Sequence, residues 1–204
     1  KYMTPVILLS DGYIAQGSEP WRIPSMDELP EIPVKYATDP ETFAPYRRDP
    51  ETLARMWAIP GTPGCEHRIG GLEKLDITGT ISHEPKNHEK MIHYRADKVA
   101  GIAKDIPAAT VLGEQEGDLL ILSWGSTFGA IKTAYDHLRE EGHKISYCHL
   151  KYLNPLPSNV GEILSKFKRV LIPENNMGQF ASVIRSKFMI DTINYSLCEG
   201  RPFT

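Results

Sequence analysis

At 204 residues, 41% of them hydrophobic and 24% charged, the chain has the composition of an ordinary globular protein and the length to bury a core. A net charge of -3 and a pI near 6.2 give no basic footprint for nucleic acid or an anionic membrane. No apolar run approaches the span of a bilayer, so no membrane contact and a cytoplasmic setting are the expectations.

The chain enters on Thr4-Pro-Val-Ile-Leu-Leu-Ser10, a uniformly apolar run that reads as a strand. Nothing printed before it could flank it in a sheet. Two expectations follow: the sequence continues a longer polypeptide cut before the last strand of an upstream domain, or this strand pairs with the sheet formed later. After a turn at Ser10 to Tyr13, nine of the chain's 16 prolines fall between Pro20 and Pro63, which excludes long helices and central strands there. Residues such as Trp21, Ile23, Ile32, Tyr36 and Phe43 make this stretch too apolar for a solvated tether. It reads as an extended arm laid along a protein surface. Asp49 and Pro50 are spaced as the cap and first turn of a short helix through Leu53 and Met56.

Between Pro60 and Gly71 four glycines and two prolines define an irregular loop that carries Glu66, His67 and Arg68 side by side. Such a loop can present these groups to a ligand. It can equally be a surface turn whose glycines supply positive φ and whose charges face water. Leu72 to Ile81 has the pattern of a small hairpin. Asn87 opens the longest helix, with a stripe of His88, Ile92, Arg95, Val99 and Ile102 widened by Met91 and Tyr94, and Pro107 stops it. His83, His88 and His93 lack the i, i+4 spacing and acidic partner of a helical metal pair. Cys65, Cys148 and Cys198 form no C-x-x-C pair. No metal site is expected, and the thiols read as buried or idle.

Ala108 to Leu112 reads as a short strand, and its five-residue link through Gly113 to Gly117 demands antiparallel pairing with the strand that follows. That next strand is the centre of the chain. Leu119 to Leu122 is apolar without alternation, the mark of a strand buried on both faces. Phe128, Ile131, Ala134, Tyr135 and Leu138 then recur at helical spacing, with Ser126 or Thr127 as cap and Gly142 as stop. Lys144 to Leu150 is the next strand, closed by an Asn154 to Pro157 turn, so the three elements make a parallel βαβ unit. Ser158 caps a short helix with Val160, Ile163, Leu164 and Phe167 inward. Val170 to Pro173 is a third parallel strand, a helix marked by Phe180, Val183, Ile184 and Phe188 follows, and Ile193 to Leu197 is the last strand. The region from about 105 to 204 is thus an α/β three-layer sandwich, with a mostly parallel sheet and one antiparallel strand, preceded by the proline-rich arm.

Two strand-to-helix turns, Ser126–Thr127 and Asn175–Asn176, stand where open α/β sheets bind anions. Neither carries the spacing of a phosphate fingerprint, and each is also explained as a tight turn needing small or turn-forming residues. A stand-alone flavodoxin-like module using these turns for a nucleotide or phosphate is therefore an alternative function.

Taken in order, Pro5-Val-Ile-Leu-Leu-Ser-Asp-Gly-Tyr13, Ser18-Glu-Pro-Trp21, Pro60-Gly-Thr-Pro-Gly64 with Glu66-His67, Asn87-His-Glu-Lys-Met91, Gly125-Ser126 and Pro173-Glu-Asn-Asn-Met-Gly-Gln179 resemble the alpha subunit of the 2-oxoacid:ferredoxin oxidoreductases, C-terminal half, 2-oxoglutarate branch. The resemblance spans essentially the whole chain. It implies that residues 1–15 end a thiamine diphosphate pyrimidine domain and that residues 16–86 are an arm and glycine-rich loop. Residues 87–104 would be a connecting helix, and residues 105–204 a transketolase C-terminal-like domain. It implies no catalytic residue in this fragment and no cofactor bound by it. Thiamine diphosphate, magnesium and an iron–sulfur cluster would come from the upstream domain and a beta subunit. Ferredoxin, a 2-oxoacid and CoA would be the other partners, in a hetero-oligomer. It also implies that His67 or Arg68 meets a substrate carboxylate, with Glu66 orienting the arginine. The family's loop commonly continues threonine-glycine-leucine-glutamate-histidine-aspartate. Here it reads Gly70-Gly71-Leu72-Glu73-Lys74-Leu75-Asp76, so no role carries over to Lys74 or Asp76.

Overall fold

A computed structural model describes residues 1–203. In chain order the elements are α1 (Gly12–Ala15), α2 (Pro85–Gly101), β1 (Val111–Leu112), β2 (Gly117–Trp124), α3 (Phe128–Glu140), β3 (Ser146–Leu150), α4 (Val160–Ser165), β4 (Phe167–Glu174), α5 (Gln179–Phe188) and β5 (Ile193–Ser196), with 3-10 turns at Met26–Glu28, Ile102–Lys104 and Gly125–Thr127. They fall into two compact units. The first holds Lys1–Val6 and Pro20–Lys104, the second Ile7–Glu19 and Asp105–Thr204.

The second unit is the α/β sandwich. Its sheet runs β1-β3-β2-β4-β5, every neighbouring pair parallel except β1 against β3. Leu120 and Leu122 of β2 join a core with Val160 and Leu164 of α4 and Phe180 and Ile184 of α5. Ile121 points the other way, into a core with Ile131 and Tyr135 of α3. Helices thus cover both faces, which is why the β2 sequence shows no polar alternation. The end of α3 follows from Gly142 at φ +88: Gly142 N donates to Arg139 O and His143 N to Leu138 O, the paired bonds that close a helix on a left-handed residue.

The β1 pairing differs from the expectation. This strand is antiparallel and at the sheet edge, but its partner is β3, with Val111 opposite Cys148, and not the strand that follows it. Both flanks of β2 are taken by β3 and β4, so the link from Gly113 passes beyond β3. It passes so closely that a side chain at Gly113 (φ +90) would stand 3.0 Å from Ile145 O. Only Val111 and Leu112 of the expected strand pair. Ala109 is instead clamped by the Asn159 amide, which accepts from Ala109 N at 2.9 Å and donates to Ala109 O at 2.8 Å. Asn159, not Ser158, is the residue before α4, and Phe167 opens β4 instead of ending that helix. Neither expected cap acts through its side chain at α3: Thr127 Oγ1 donates back to Trp124 O, and Ser126 Oγ to Asp11.

The run from Thr4 to Ser10 is not a strand. The sheet edges are β1 and β5, no strand among the described residues pairs with it, and Val6, Ile7 and Leu8 are more than 80% exposed. Extended backbone without a neighbour gains no ladder bonds. The short α1 follows, capped by Asp11 Oδ1 accepting from Tyr13 N at 2.8 Å.

The first unit has no sheet, only single bridges such as Tyr46 with Ile77, Arg48 with Arg55, and Lys74 with Ile81. The last belongs to the expected hairpin, which Leu75 N to Thr80 O and Ser82 N to Glu73 O complete. No helix follows Asp49. Its carboxylate does accept from Glu51 N and Thr52 N as a cap would, but Leu53 turns to φ +55 and the chain doubles back. Trp21, Ile23 and Ile32 of the arm remain about 80% exposed within this chain. Helix α2 begins at Pro85, and its buried face centres on the Met91 and Tyr94 edge of the expected stripe instead of on Ile92. Asn87 and Met91 are buried and Ile92 is half exposed, because the inward row runs 87, 91, 94, 98. Asn87 on that row is satisfied by accepting from Asp76 N and donating to Lys74 O.

One carboxylate joins the elements of the second unit at the strand tips. Glu174, fully buried, accepts from Trp124 Nε1 of β2 (3.3 Å), Asn176 Nδ2 (3.0 Å), and the first-turn N–H groups of Phe180 (3.0 Å) and Ala181 (2.9 Å) of α5. Truncating it orphans these donors. Glu174→Ala is expected to cost about 3 kcal/mol, read as a lower urea midpoint at unchanged slope.

Candidate functional site

The glycine-rich loop lines a cleft in the first unit, an open depression of about 540 Å³. Its lining is made by Glu66, His67 and Arg68 of the loop, Thr78 to Ile81 of the hairpin, and Phe43 and Pro45. The sequence-predicted loop trio therefore does face a concave surface. Gly64 (φ +76) packs on Pro40 so tightly that an added Cβ would lie 2.5 Å from the ring, which fixes where the trio emerges. His67 is half-buried, its ring edge-on to Phe43 at 5.3 Å between centroids. Its Nδ1 lies 2.8 Å from Cys65 O. A carbonyl only accepts, so Nδ1 carries the proton, and a neutral His67 offers its Nε2 lone pair. Among the described residues neither the Glu66 nor the Arg68 side chain makes a hydrogen bond or ion pair, and both are exposed. Glu66 thus does not orient Arg68 here. Among the groups lining the cleft are an unspent guanidinium, an imidazole and two threonines, chemistry that can receive a carboxylate.

The device that shapes the loop lies outside the predicted trio. Lys74 is 1% exposed, and its ammonium donates to Gly70 O (3.0 Å), Gly71 O (2.7 Å) and Leu72 O (2.7 Å). Three carbonyls spend all three donors of the ammonium, so the chain is drawn round it. Glu73 points to α2 and bonds His88 Nδ1 at 2.8 Å and Arg95 at 3.4 Å. Burial pushes the Glu73 carboxyl up, yet these partners outweigh it and hold it below the usual range. An isolated lysine three residues after a glycine pair was the available signal for Lys74. Nothing local marks Phe43 or Thr78 to Thr80, which reach the cleft through tertiary folding.

The two strand-tip turns end adjacent parallel strands, β2 and β4, where the connection reverses direction across the sheet. Their side chains are occupied internally. Ser126 Oγ donates to Asp11 Oδ2 at 2.8 Å, and Thr127 is buried. Asn175 Nδ2 reaches Leu197 O and Arg201 O, while Asn176 Oδ1 accepts from Gly178 N and Gln179 N. With Phe180 N and Ala181 N spent on Glu174, the N-terminus of α5 already holds its anion. A further cluster was not foreseen: Ser123 Oγ lies 2.8 Å from both Tyr147 Oη and His149 Nδ1. The i, i+2 pair of Tyr147 and His149 on one side of β3 was its sequence signal. Burial, then Lys151, pushes the His149 pKa down, and burial pushes Tyr147 up.

Residues 117–200 match the family described as pyruvate:ferredoxin oxidoreductase core domain II. Over 204 residues the chain is 49% identical to the 2-oxoglutarate oxidoreductase subunit KorA of Mycobacterium tuberculosis, covering all of this chain and 31% of that protein. It is 27% identical to the 2-oxoglutarate synthase subunit KorA of Methanothermobacter marburgensis, over 88% of this chain and 47% of that one. Among solved structures it is similar to the 2-oxoglutarate:ferredoxin oxidoreductase of Magnetococcus marinus with 2-oxoglutarate, coenzyme A and succinyl-CoA bound. The TM-score is 0.90 at 34% identity, over 100% of this chain and 36% of that one. The second unit is thus a core domain of the ferredoxin-linked oxoacid oxidoreductases. The chain as a whole is a homologue of the alpha subunit of 2-oxoglutarate:ferredoxin oxidoreductases, and it spans about a third to a half of the relatives it matches. No helix among the described residues is long and apolar enough to cross a membrane.

Two outcomes follow from the site chemistry. Lys74→Met removes the charge that gathers residues 70–72; losing about 1.4 kcal/mol of local stability is expected to speed tryptic cleavage after Arg68 about tenfold, and an unchanged rate refutes the staple. For His149 the folded state prefers the neutral ring, so its contribution is complete above the unfolded value of 6.5 and declines as pH falls through the lowered folded one. Stability against urea should therefore drop on acidification from pH 7.5 to 5, and His149→Gln should flatten that slope.

Proposed function

We propose that the chain forms part of the alpha subunit of an enzyme that oxidatively decarboxylates a 2-oxoacid, with 2-oxoglutarate as its substrate, giving an acyl-CoA and reducing ferredoxin. The observation that carries this reading is the 49% identity over all 204 residues to a subunit named for 2-oxoglutarate oxidation. The ligands of the Magnetococcus marinus enzyme support it.

The activity belongs to a cytoplasmic hetero-oligomer, and this chain alone is inactive. An upstream domain and a beta subunit supply thiamine diphosphate, magnesium and an iron–sulfur cluster. The residues here do not fit such a cluster, which takes four thiolates. Cys65 and Cys148 are buried, Cys198 is exposed, and burial pushes the Cys148 thiol up to about 11. Among the described residues no group of three or more metal-ligating side chains is placed to hold an ion. What this chain brings is interface and one part of substrate recognition. Arg68 pairs with a carboxylate of the oxoacid by charge-assisted hydrogen bonds, and His67, held by Cys65 O, lines the same cleft. Thr78 and Thr80, their hydroxyls 3.2 Å apart, belong to the same lining.

In the assembled enzyme, with ferredoxin reduction as readout, Arg68→Ala should raise KM for 2-oxoglutarate by roughly 10- to 100-fold, the worth of a charged hydrogen bond. An unchanged KM and kcat would remove Arg68 from the site. Failure of the wild-type assembly to reduce ferredoxin with 2-oxoglutarate and CoA would remove the function itself.

A further inference from the structure

The first unit gathers positive charge at one place that none of the preceding chemistry uses. Arg48 and Arg55 face each other across an antiparallel bridge, and both guanidiniums lie over the Tyr46 ring, Arg55 at 4.0 Å and Arg48 at 5.9 Å from its centroid. Arg48 also lies 4.4 Å from the centroid of Tyr94. Like charges directly opposite in a paired segment repel. Lys98 stands on α2 one turn beyond Tyr94, the ring that Arg48 covers, and burial, then the charges of Arg55 and Arg48, hold its ammonium below the usual lysine range. Among the described residues the one carboxylate in an ion pair with any of the three is Asp76, which bonds Arg48 at 2.8 Å and is shared with Lys90 at 2.7 Å. Three converging cations with a single shared counter-charge form a field that favours an anion.

The donors are available as well. Arg55 spends Nη1 on Pro45 O at 3.1 Å, and its Nε and Nη2 make no hydrogen bond. Because no buried side-chain nitrogen or oxygen among the described residues lacks a partner, neither of those two nitrogens is sealed from solvent. Lys98 spends one of its three donors, on Met3 O at 2.9 Å. Arg48 is committed to Tyr46 O and Asp76 and supplies field rather than contact. An open guanidinium fork beside an ammonium suits a group with several oxygens and more than one negative charge. A phosphoryl group carries between one and a half and two charges at neutral pH, roughly, with three acceptor oxygens. A carboxylate, with one charge and two oxygens, leaves the cluster positive.

We propose that Arg55 and Lys98, backed by Arg48, bind a phosphoryl group, either free phosphate or the phosphate of a nucleotide. None of the three lines the cleft of Arg68, so the site stands whether or not that cleft receives an oxoacid.

The test is calorimetric titration of inorganic phosphate into the intact protein at fixed ionic strength, with acetate as the carboxylate control and adenosine monophosphate as a second arm. Phosphate should bind saturably and at least about tenfold more tightly than acetate. Arg55→Gln and Lys98→Met should each weaken it about tenfold or more, and Arg55→Lys, which keeps the charge and loses the fork, by less. Tighter binding of the nucleotide marks a nucleotide as the source; equal binding marks free phosphate. Circular dichroism melts establish that each variant is folded, and Lys98→Met carries the test if Arg55→Gln is not. Phosphate no tighter than acetate, or an affinity unchanged in a folded variant, overturns the proposal.

Discussion

Glu174 is the constraint on which the second unit depends. A fully buried carboxylate is expensive unless donors replace its water, and here four do: an indole, an amide and the two backbone N–H groups that open α5. The donors come from β2, from the turn after β4 and from the first turn of α5, and their common acceptor sets how these elements meet. The backbone extends the connection, since Leu197 N donates to Glu174 O beyond β5. The residue also decides what the strand tip does. At that position an open α/β sheet commonly receives a ligand's phosphate, whereas this chain fills it with its own side chain and makes a structural joint of a potential site.

The first unit meets the opposite difficulty with the opposite charge. Proline breaks its backbone so often that no ladder of strands and little apolar core can form; Ala37, Ala54, Cys65 and Met91 are its buried hydrophobic residues. Cations surrounded by backbone carbonyls and aromatic rings hold it together instead. Lys74 draws three carbonyls round its ammonium. Arg48, with only 11% of its side chain exposed, bonds Asp76 and lies over Tyr94, while burial holds its guanidinium below the usual arginine range. Asn87 ties α2 to the same hairpin. Such bonds are directional where apolar packing is not, which suits a segment whose task is to hold a loop in one shape.

This difference governs what the sequence could reveal. The α/β sandwich was legible because hydrophobic burial writes itself into periodicity: the unbroken Leu119–Leu122 run, the α3 stripe and the Gly142 stop each locate an element. Where polar bonds replace burial, periodicity misleads. The inward row of α2 contains Asn87 and Lys98 beside the expected Met91 and Tyr94, so the stripe centred on Ile92 was rotated from the buried face. The Asp49 cap is present without its helix because the decision lies at Leu53, in a left-handed conformation that no local pattern announces. β1 kept its direction and lost its expected partner, since strand order depends on which edges are already filled. The loop trio was found as charges on a glycine-rich turn, but the cleft lining at Thr78 to Ile81 exists only through the hairpin that Lys74 and Tyr46 position.

The two anion-related places in the chain differ in a way that bears on how the subunit is used. At Glu174 the donors converge and the acid is built in, so the locus is finished in the folded chain. At Arg68 the charge is exposed and unspent, its neighbours are a histidine in a fixed tautomer and two hydroxyls, and the loop behind it is anchored by a lysine that never reaches the surface. A guanidinium held on an anchored loop loses little freedom when a carboxylate arrives, so more of the interaction appears as affinity. Precise placement of a remote carboxylate is also how binding energy reaches a reacting centre elsewhere in a substrate.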